Sequence, residues 1–189
     1  MECSYEQLDR SLVEELVEFM AQRPELTPAL CGKENAYLEK NSDSKFVKMM
    51  KYYLPKHKIV DSFEQLPDDV FFKFTVDVPK EKTLSTVDEI NKKFVGRIFA
   101  TSSGFGNFDL ILPHVNKAVG LEKMLASRNL TLDDLVAFGD GGNDLEMLKA
   151  AGLSYAMENG SDEVRKVADK IAPNNNDSGV LKVLADYLM

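Results

Sequence analysis

Leu8, Leu12, Leu16 and Met20 recur at four-residue steps between residues 5 and 22, which puts them on one helical face, and Pro24 stops the run. The segment "LTPALCGKENAYLEK" (26–40) predicts two short strands around a turn at Gly32 and Lys33. Residues 44–54 return to helical spacing, with Val47, Met50 and Leu54 on one side. The strongest strand signal is "DVFFKFTVDV" (69–78), rich in aromatic and β-branched residues. A helix over 82–94 carries Val87, Ile90 and Phe94 on one side, and "GRIFATSSGFGNFDLILP" (96–113) reads as strand, Gly/Ser turn, strand. Helices alternating with tightly joined strands predict an α+β layer, one sheet with helices on one face.

The pattern changes near Pro113. A helix starts around Lys117 with Ala118, Leu121 and Leu125 on one face. The apolar "LVAF" (135–138) precedes a glycine loop and a helix that Gly152 terminates. "LSYAM" and "KIA" predict two more short strands. Between them lies a helix "DEVRKVA" that Ser161 can cap and whose first-turn acids suit its dipole. Three asparagines (174–176) lead into a last helix bearing Val180, Val183, Leu184 and Leu188. Short continuous apolar strands separated by helices predict βαβ units and a parallel sheet. The boundary between the two organisations falls at roughly 105–116, giving an α/β chain of two parts, 1–112 and 113–189.

At 189 residues, 44% hydrophobic and 29% charged, the chain fits a soluble globular protein of one large or two small domains. Its apolar runs are too short to span a membrane, and the acidic, polar N-terminus does not have the form of a signal peptide. Cys3 and Cys31 form no C-x-x-C pair, which points to a reduced, cytoplasmic setting. The net charge of −8 argues against nucleic acid and anionic membrane as partners. The lysines at 45, 48, 51, 56 and 58, with no acid between Ser44 and Val60, read as a solvated face rather than a nucleic-acid site. His57 and His114 are isolated, and Cys31 beside Gly32 reads as a buried small residue.

Candidate chemistry gathers in "LVAFGDGGNDLEMLKAAG" (135–152). Asp140 follows the C-terminal end of a predicted parallel strand, where open α/β sheets bind ligands. Gly139, Gly141 and Gly142 let the backbone turn sharply, and Asp144 falls in the first turn of the next helix. Crowded carboxylates need a positive group between them, and Mg²⁺ with a phosphate meets that need. A glycine turn in which Asp140 or Asp144 caps a helix accounts for the same residues. Neither a P-loop nor a complete G-x-G-x-x-G is present.

"GDGGNDLEML" closely resembles the fourth motif, G-D-x-x-N-D-x-x-M-L, of the haloacid dehalogenase (HAD) superfamily and its Cof-like phosphatases. "LILPHVNKAVGLEKML" is similar to the third-motif segment, "AMENGSDEVRKVADKIAPNNNDSGVLKVL" to the C-terminal run, and "LTPALCGKENAYLEK" to the cap domain. The resemblance implies a Mg²⁺-dependent aspartyl-phosphate mechanism acting on a small phosphorylated metabolite. It implies Asp140 and Asp144 as metal-binding acids, Asn143 as a contact near the phosphate, and Lys117 as the lysine that neutralises the phosphate. It also implies that residues 1–112 are an α+β cap, and that 113–189 are the C-terminal half of a Rossmann-like parallel core. The turns at Gly32–Lys33 and 101–107 are candidates to face the substrate.

The family's first motif, D-x-D, supplies the nucleophile, and no D-x-D occurs in this sequence. Asp77 lies near a strand end, but in the cap-like part. The resemblance therefore implies a chain lacking at least about 30 residues of core upstream, inactive by itself. It also implies an exposed edge at "LVAF" that another copy, an N-terminal segment or rearranged helices would cover. A non-catalytic phosphate- or metal-binding module is the alternative.

Overall fold

A computed structural model describes residues 6–104 and 106–188. Cys3 and Phe105 of the 101–107 turn, both named above, lie outside the described residues. By contacts the chain divides into two compact units, Met1–Pro113 and His114–Met189.

The first unit is built from α1 (Arg10–Ala21), β1 (Thr27–Gly32), β2 (Ala36–Glu39), α2 (Ser44–Tyr53), β3 (His57–Val60), β4 (Phe71–Asp77), α3 (Thr83–Lys93), β5 (Phe99–Gly104) and β6 (Asn107–Ile111). Its six strands run β3-β2-β1-β4-β6-β5. Only β2 and β3 are parallel, and α2 connects them. Strand pairing aligns Leu30 with Phe74 and Phe74 with Leu110. Those side chains share one face, where they pack with Val13 and Leu16 of α1 and Ile90 of α3. Each of these large side chains contributes about 1.5–3 kcal/mol on burial.

The expectation of helices on one face is corrected here. Ala29 and Leu38 are cross-strand partners on the opposite face, and Phe46 and Met50 of α2 cover them. Strand β1 is apolar at Ala29 and Leu30 in succession, so it buries both faces, whereas β4 alternates. The β3 strand was not foreseen from the sequence either.

Local polar groups set two of the connections. Asp43 Oδ1 accepts from the backbone N–H groups of Lys45 (2.9 Å) and Phe46 (3.1 Å), which caps α2. Asp69 accepts from Glu34 N (3.0 Å), Val70 N (2.8 Å) and the Tyr37 hydroxyl (2.8 Å), which fixes the β1–β2 turn. His57 Nδ1 lies 2.9 Å from the Leu54 carbonyl oxygen at the end of α2, a structural place for that histidine. The Lys45, Lys48 and Lys51 run lies on α2, Lys58 is in β3, and Lys56 pairs with Glu34 at 3.4 Å.

The second unit contains α4 (Lys117–Ala126), β7 (Val136–Gly139), α5 (Leu145–Ala150), β8 (Leu153–Met157), α6 (Asp162–Val167), β9 (Lys170–Ala172) and α7 (Gly179–Leu188). The three strands are parallel in the order β7-β8-β9, so β7 is a sheet edge. Ala137 and Ala156 pack with Leu148 of α5 and Val164 of α6, while Tyr155 and Met157 pack with Val180 and Val183 of α7. The sheet is thus covered on both faces, as a parallel sheet requires. Phe138 stacks on Tyr155 with ring centroids 5.0 Å apart. Ser161 caps α6 as foreseen, its Oγ accepting from Val164 N. Leu184 of α7 is 38% exposed. Among the described residues no helix is long and apolar enough to cross a membrane.

Candidate functional site

Asp140 is the first residue after β7, at the C-terminal end of the parallel sheet. Residues Gly142–Asp144 form a single 3₁₀ turn that runs directly into α5. This brings Asp144 back beneath the end of β7, where it is only 4% exposed. Its Oδ2 accepts from the backbone N–H groups of Asp140 (2.9 Å) and Gly141 (3.1 Å). Its Oδ1 accepts from the Lys117 ammonium. Glycine is required at 139 by this close approach, because a Cβ there would lie 2.6 Å from the Cβ of Asp144.

Lys117 is the first residue of α4, which Asn116 caps through a 3.0 Å bond from Val119 N to Asn116 Oδ1. The cap fixes where α4 begins and hence where the lysine side chain departs. About half of the Lys117 side chain remains exposed while its partner carboxylate is buried. Burial by itself would push the Asp144 carboxyl up. The Lys117 ammonium and the two backbone N–H donors outweigh it and hold the group below the usual carboxylate range.

Asp140 differs from Asp144 although both are aspartates of one loop. Its side chain is exposed, and its Oδ2 accepts from Asn175 Nδ2 at 3.2 Å. Asn175 is held in turn by the bond from its backbone N to Asn159 Oδ1 (2.9 Å). The 158–161 segment closes on the same loop, with Ser161 N donating to the Asp140 carbonyl oxygen at 3.0 Å. A Cβ on Gly160 would sit 3.2 Å from Asp140 Cα. Asn143 is half-buried, and its side chain hydrogen-bonds to none of the described residues, which leaves its amide available.

The four residues singled out from the sequence are therefore neighbours, but not equivalent ones. Asp144 has both oxygens engaged, and the N–H groups of Asp140 and Gly141 serve that carboxylate. Asp140 Oδ1 is the unengaged carboxylate oxygen. No cluster of three His, Cys, Asp or Glu side chains suited to a metal ion occurs among the described residues. Mg²⁺ usually keeps several waters and takes one or two carboxylates plus substrate phosphate, so Asp140 could supply one of its oxygens with water and substrate supplying the others. What the loop offers among the described residues is one open carboxylate oxygen, Asp140 Oδ1, one unbonded amide, Asn143, and a half-exposed ammonium at a strand terminus. Asn175 and Asn159 were not singled out from the sequence. Cys31 is half-buried in the first unit, and burial pushes its thiol up, away from nucleophilic character.

Comparisons with known proteins cover nearly the whole chain. The haloacid dehalogenase-like hydrolase family matches residues 2–184. The 5-amino-6-(5-phospho-D-ribitylamino)uracil phosphatase YbjI of Escherichia coli is 35% identical over 96% of this chain and 67% of its own length. The Bacillus subtilis phosphatase YcsE, named for the same substrate, is 31% identical over 67% of this chain and 50% of its own. Among solved structures, SMU.1108c of Streptococcus mutans superposes with a TM-score of 0.92 at 37% identity, over 98% of this chain and 70% of that one. A HAD subclass IIB sugar phosphatase, at 18% identity and a TM-score of 0.81, shares the fold. The chain thus spans between half and about two thirds of the length of these two named relatives.

Proposed function

Because the chain belongs to the family of haloacid dehalogenase-like hydrolases, we propose that Lys117, Asp140, Asn143 and Asp144 are the phosphate-facing part of a Cof-like phosphatase site. The substrate class is a small phosphate ester, and the relatives' named substrate is one member of it. The observation that carries this reading is the Lys117–Asp144 pair, with the exposed Asp140 carboxylate, open at Oδ1, at the end of β7. In it, Asp144 holds the lysine in place from a buried position, and the exposed half of Lys117 meets the phosphate charge. Asn143 donates its unused amide to a phosphoryl oxygen. Such preplaced charges supply much of the catalysis in phosphoryl transfer.

Mg²⁺ is the proposed cofactor, neutralising phosphoryl oxygens when bound. Asp140 would hold it, with Asp144 behind it. No D-x-D nucleophile occurs in the sequence. The chain by itself is therefore proposed to bind phosphate weakly and to turn nothing over. The same shortfall supports a second reading, a non-catalytic phosphate-binding module of this fold. Residues 1–112 as a cap, and a further strand or second copy along the free β7 edge, belong to the first.

The test combines an assay of p-nitrophenyl phosphate hydrolysis with Mg²⁺ and an NMR titration with inorganic phosphate. No turnover, with phosphate shifting the Asn143 and Lys117 signals and Lys117→Ala removing those shifts, is the expected result. Robust turnover abolished by Asp140→Asn would overturn the inactivity. Phosphate leaving both signals unmoved would overturn the site.

A further inference from the structure

At one end of the six-stranded sheet the first unit holds a cavity of about 560 Å³, within the range of roughly 300–1,000 Å³ that small-molecule sites occupy. It lies between the end of α1, the start of β1 and the segments that follow β2 and β3. Strand register places Thr27, which lines it, beside Asp77, and Asp77 beside Asn107, the first residue of β6. The chain leaves the unit just past Ile111, the last residue of β6, so the cavity and that exit are at opposite ends of the sheet.

The lining is of two kinds. Val17 and Met20 of α1, with Leu26 and Phe63, present hydrocarbon, and Val17 packs against the core on the α1 side of the sheet. The charged part is acidic: Glu39, Asp43 and Glu64. Glu39 Oε1 accepts from Phe63 N at 2.7 Å, and Asp43 Oδ1 serves the cap of α2. Glu39 Oε2, Asp43 Oδ2 and the Glu64 carboxylate have no donor among the described residues, and none of the three acids has a cationic partner there. Arg23 also lines the cavity, but its guanidinium is committed elsewhere. It lies over the Phe19 ring and donates to the Phe19 carbonyl oxygen (3.0 Å) and to Glu89 (2.6 Å).

A second, independent feature points to a ligand. Ser42 lines the same cavity, and its Oγ, with less than 1 Å² exposed, has no hydrogen-bond partner. A buried hydroxyl left unpaired destabilises the free protein. No bond holds it in its present rotamer, so turning about χ1 towards a donor in the cavity forfeits none.

We propose that this cavity binds a small organic ammonium ion. Its charged nitrogen donates to Glu39, Asp43 and Ser42, and its hydrocarbon body rests on Val17, Met20 and Phe63. Charge-assisted hydrogen bonds to carboxylates are the strong ones, and the apolar wall adds what a hydrated inorganic cation cannot use. A metal ion is a poorer fit, because no three His, Cys, Asp or Glu side chains among the described residues stand close enough to share one. An anion would meet three carboxylates, and a neutral molecule of the same shape would leave them uncompensated. The inference concerns the first unit alone and stands whether or not the chain takes part in ester hydrolysis.

A ¹⁵N NMR titration of the full chain at neutral pH with cyclohexylamine, which is protonated there, tests it. Cyclohexanol and cyclohexanecarboxylate, of nearly the same shape, run in parallel. Cyclohexylamine is expected to shift the amides of Ser42, Asp43 and Phe63 saturably, and both controls should bind at least about tenfold more weakly. Glu39→Gln keeps an oxygen to accept from Phe63 N while removing the charge, and should weaken cyclohexylamine binding about tenfold. Ser42→Ala should weaken it about threefold. Absence of a saturable cyclohexylamine shift, equal affinity for either control, or undiminished binding in both variants overturns the proposal. If Glu39→Gln does not fold, Ser42→Ala carries the test, because removing an unpaired hydroxyl takes no bond from the fold.

Discussion

The two units solve the same problem, how to cover a sheet, with unequal means. The first buries Phe63, Phe74, Phe94 and Phe108 fully, along with Leu16, Leu30 and Leu110, in one continuous core. The second divides its apolar contacts between two small clusters, one on each face of three short strands. Both units leave large side chains exposed, among them Tyr52 by 82% and Val95 by 76% in the first, Ile171 by 51% and Leu181 by 68% in the second. Hydrophobic stabilisation scales with area removed from water, so the first unit has the means to stand alone. The second, with its smaller clusters, relies more on polar fixtures such as the Lys117–Asp144 pair.

The comparison breaks most visibly in the first core. Phe74→Ala should destabilise the first unit by about 3–5 kcal/mol, read as lost amide exchange protection across β1, β4 and β6. Protection in β7 and β8 should persist. Simultaneous loss in both units would mean that they do not differ in the way described.

A smaller effect tests the polar fixture. Asp144→Ala strands two backbone N–H groups and Lys117, and should cost the second unit about 2–3 kcal/mol. The pH dependence follows from the lowered Asp144 group. Its contribution is fully present above the ordinary carboxylate range and is lost as pH falls through the lower, folded-state value. Acid unfolding monitored at Tyr155 should lose that component in the variant. Identical acid limbs in the two proteins would show that Asp144 contributes nothing there.

The smallest effect on stability concerns the β7 edge. Val136→Lys should change folding stability by less than about 0.5 kcal/mol, while suppressing concentration-dependent association in sedimentation velocity. A parent chain that stays monomeric at high concentration would count against pairing with a second copy along this edge.

Much of this was legible in the sequence, for identifiable reasons. Strands β4, β7 and β8 are apolar enough to declare themselves, and the helical faces of α1 and α3 are cleanly periodic. Strand β3, "HKIV", has two polar residues followed by two apolar ones and so no alternation. Its place comes from pairing with β2, information held elsewhere in the chain. Helix α2 on the opposite face was encoded in the unbroken "PAL" of β1, which suits burial on both sides. At the site, Asp140, Asn143 and Asp144 lie within one motif. Their link to Lys117, 27 residues upstream, emerged from family resemblance and not from spacing. Asn175 and Asn159 were beyond reach, because an asparagine in a turn gives no sign of which side chain it will hold.

The Asn159–Gly160 pair, described above as a brace behind Asp140, is also a chemical clock. Asparagine followed by glycine is the sequence most open to cyclisation of the side chain onto the next backbone nitrogen. That cyclisation expels the side-chain nitrogen as ammonia, and hydrolysis of the ring gives aspartate or its β-linked isomer, which lengthens the main chain where Gly160 lies close to Asp140. An aged preparation would therefore lose the alignment of Asn175 with Asp140 before any unfolding could be seen. Freshly purified and stored protein should be compared at this loop first.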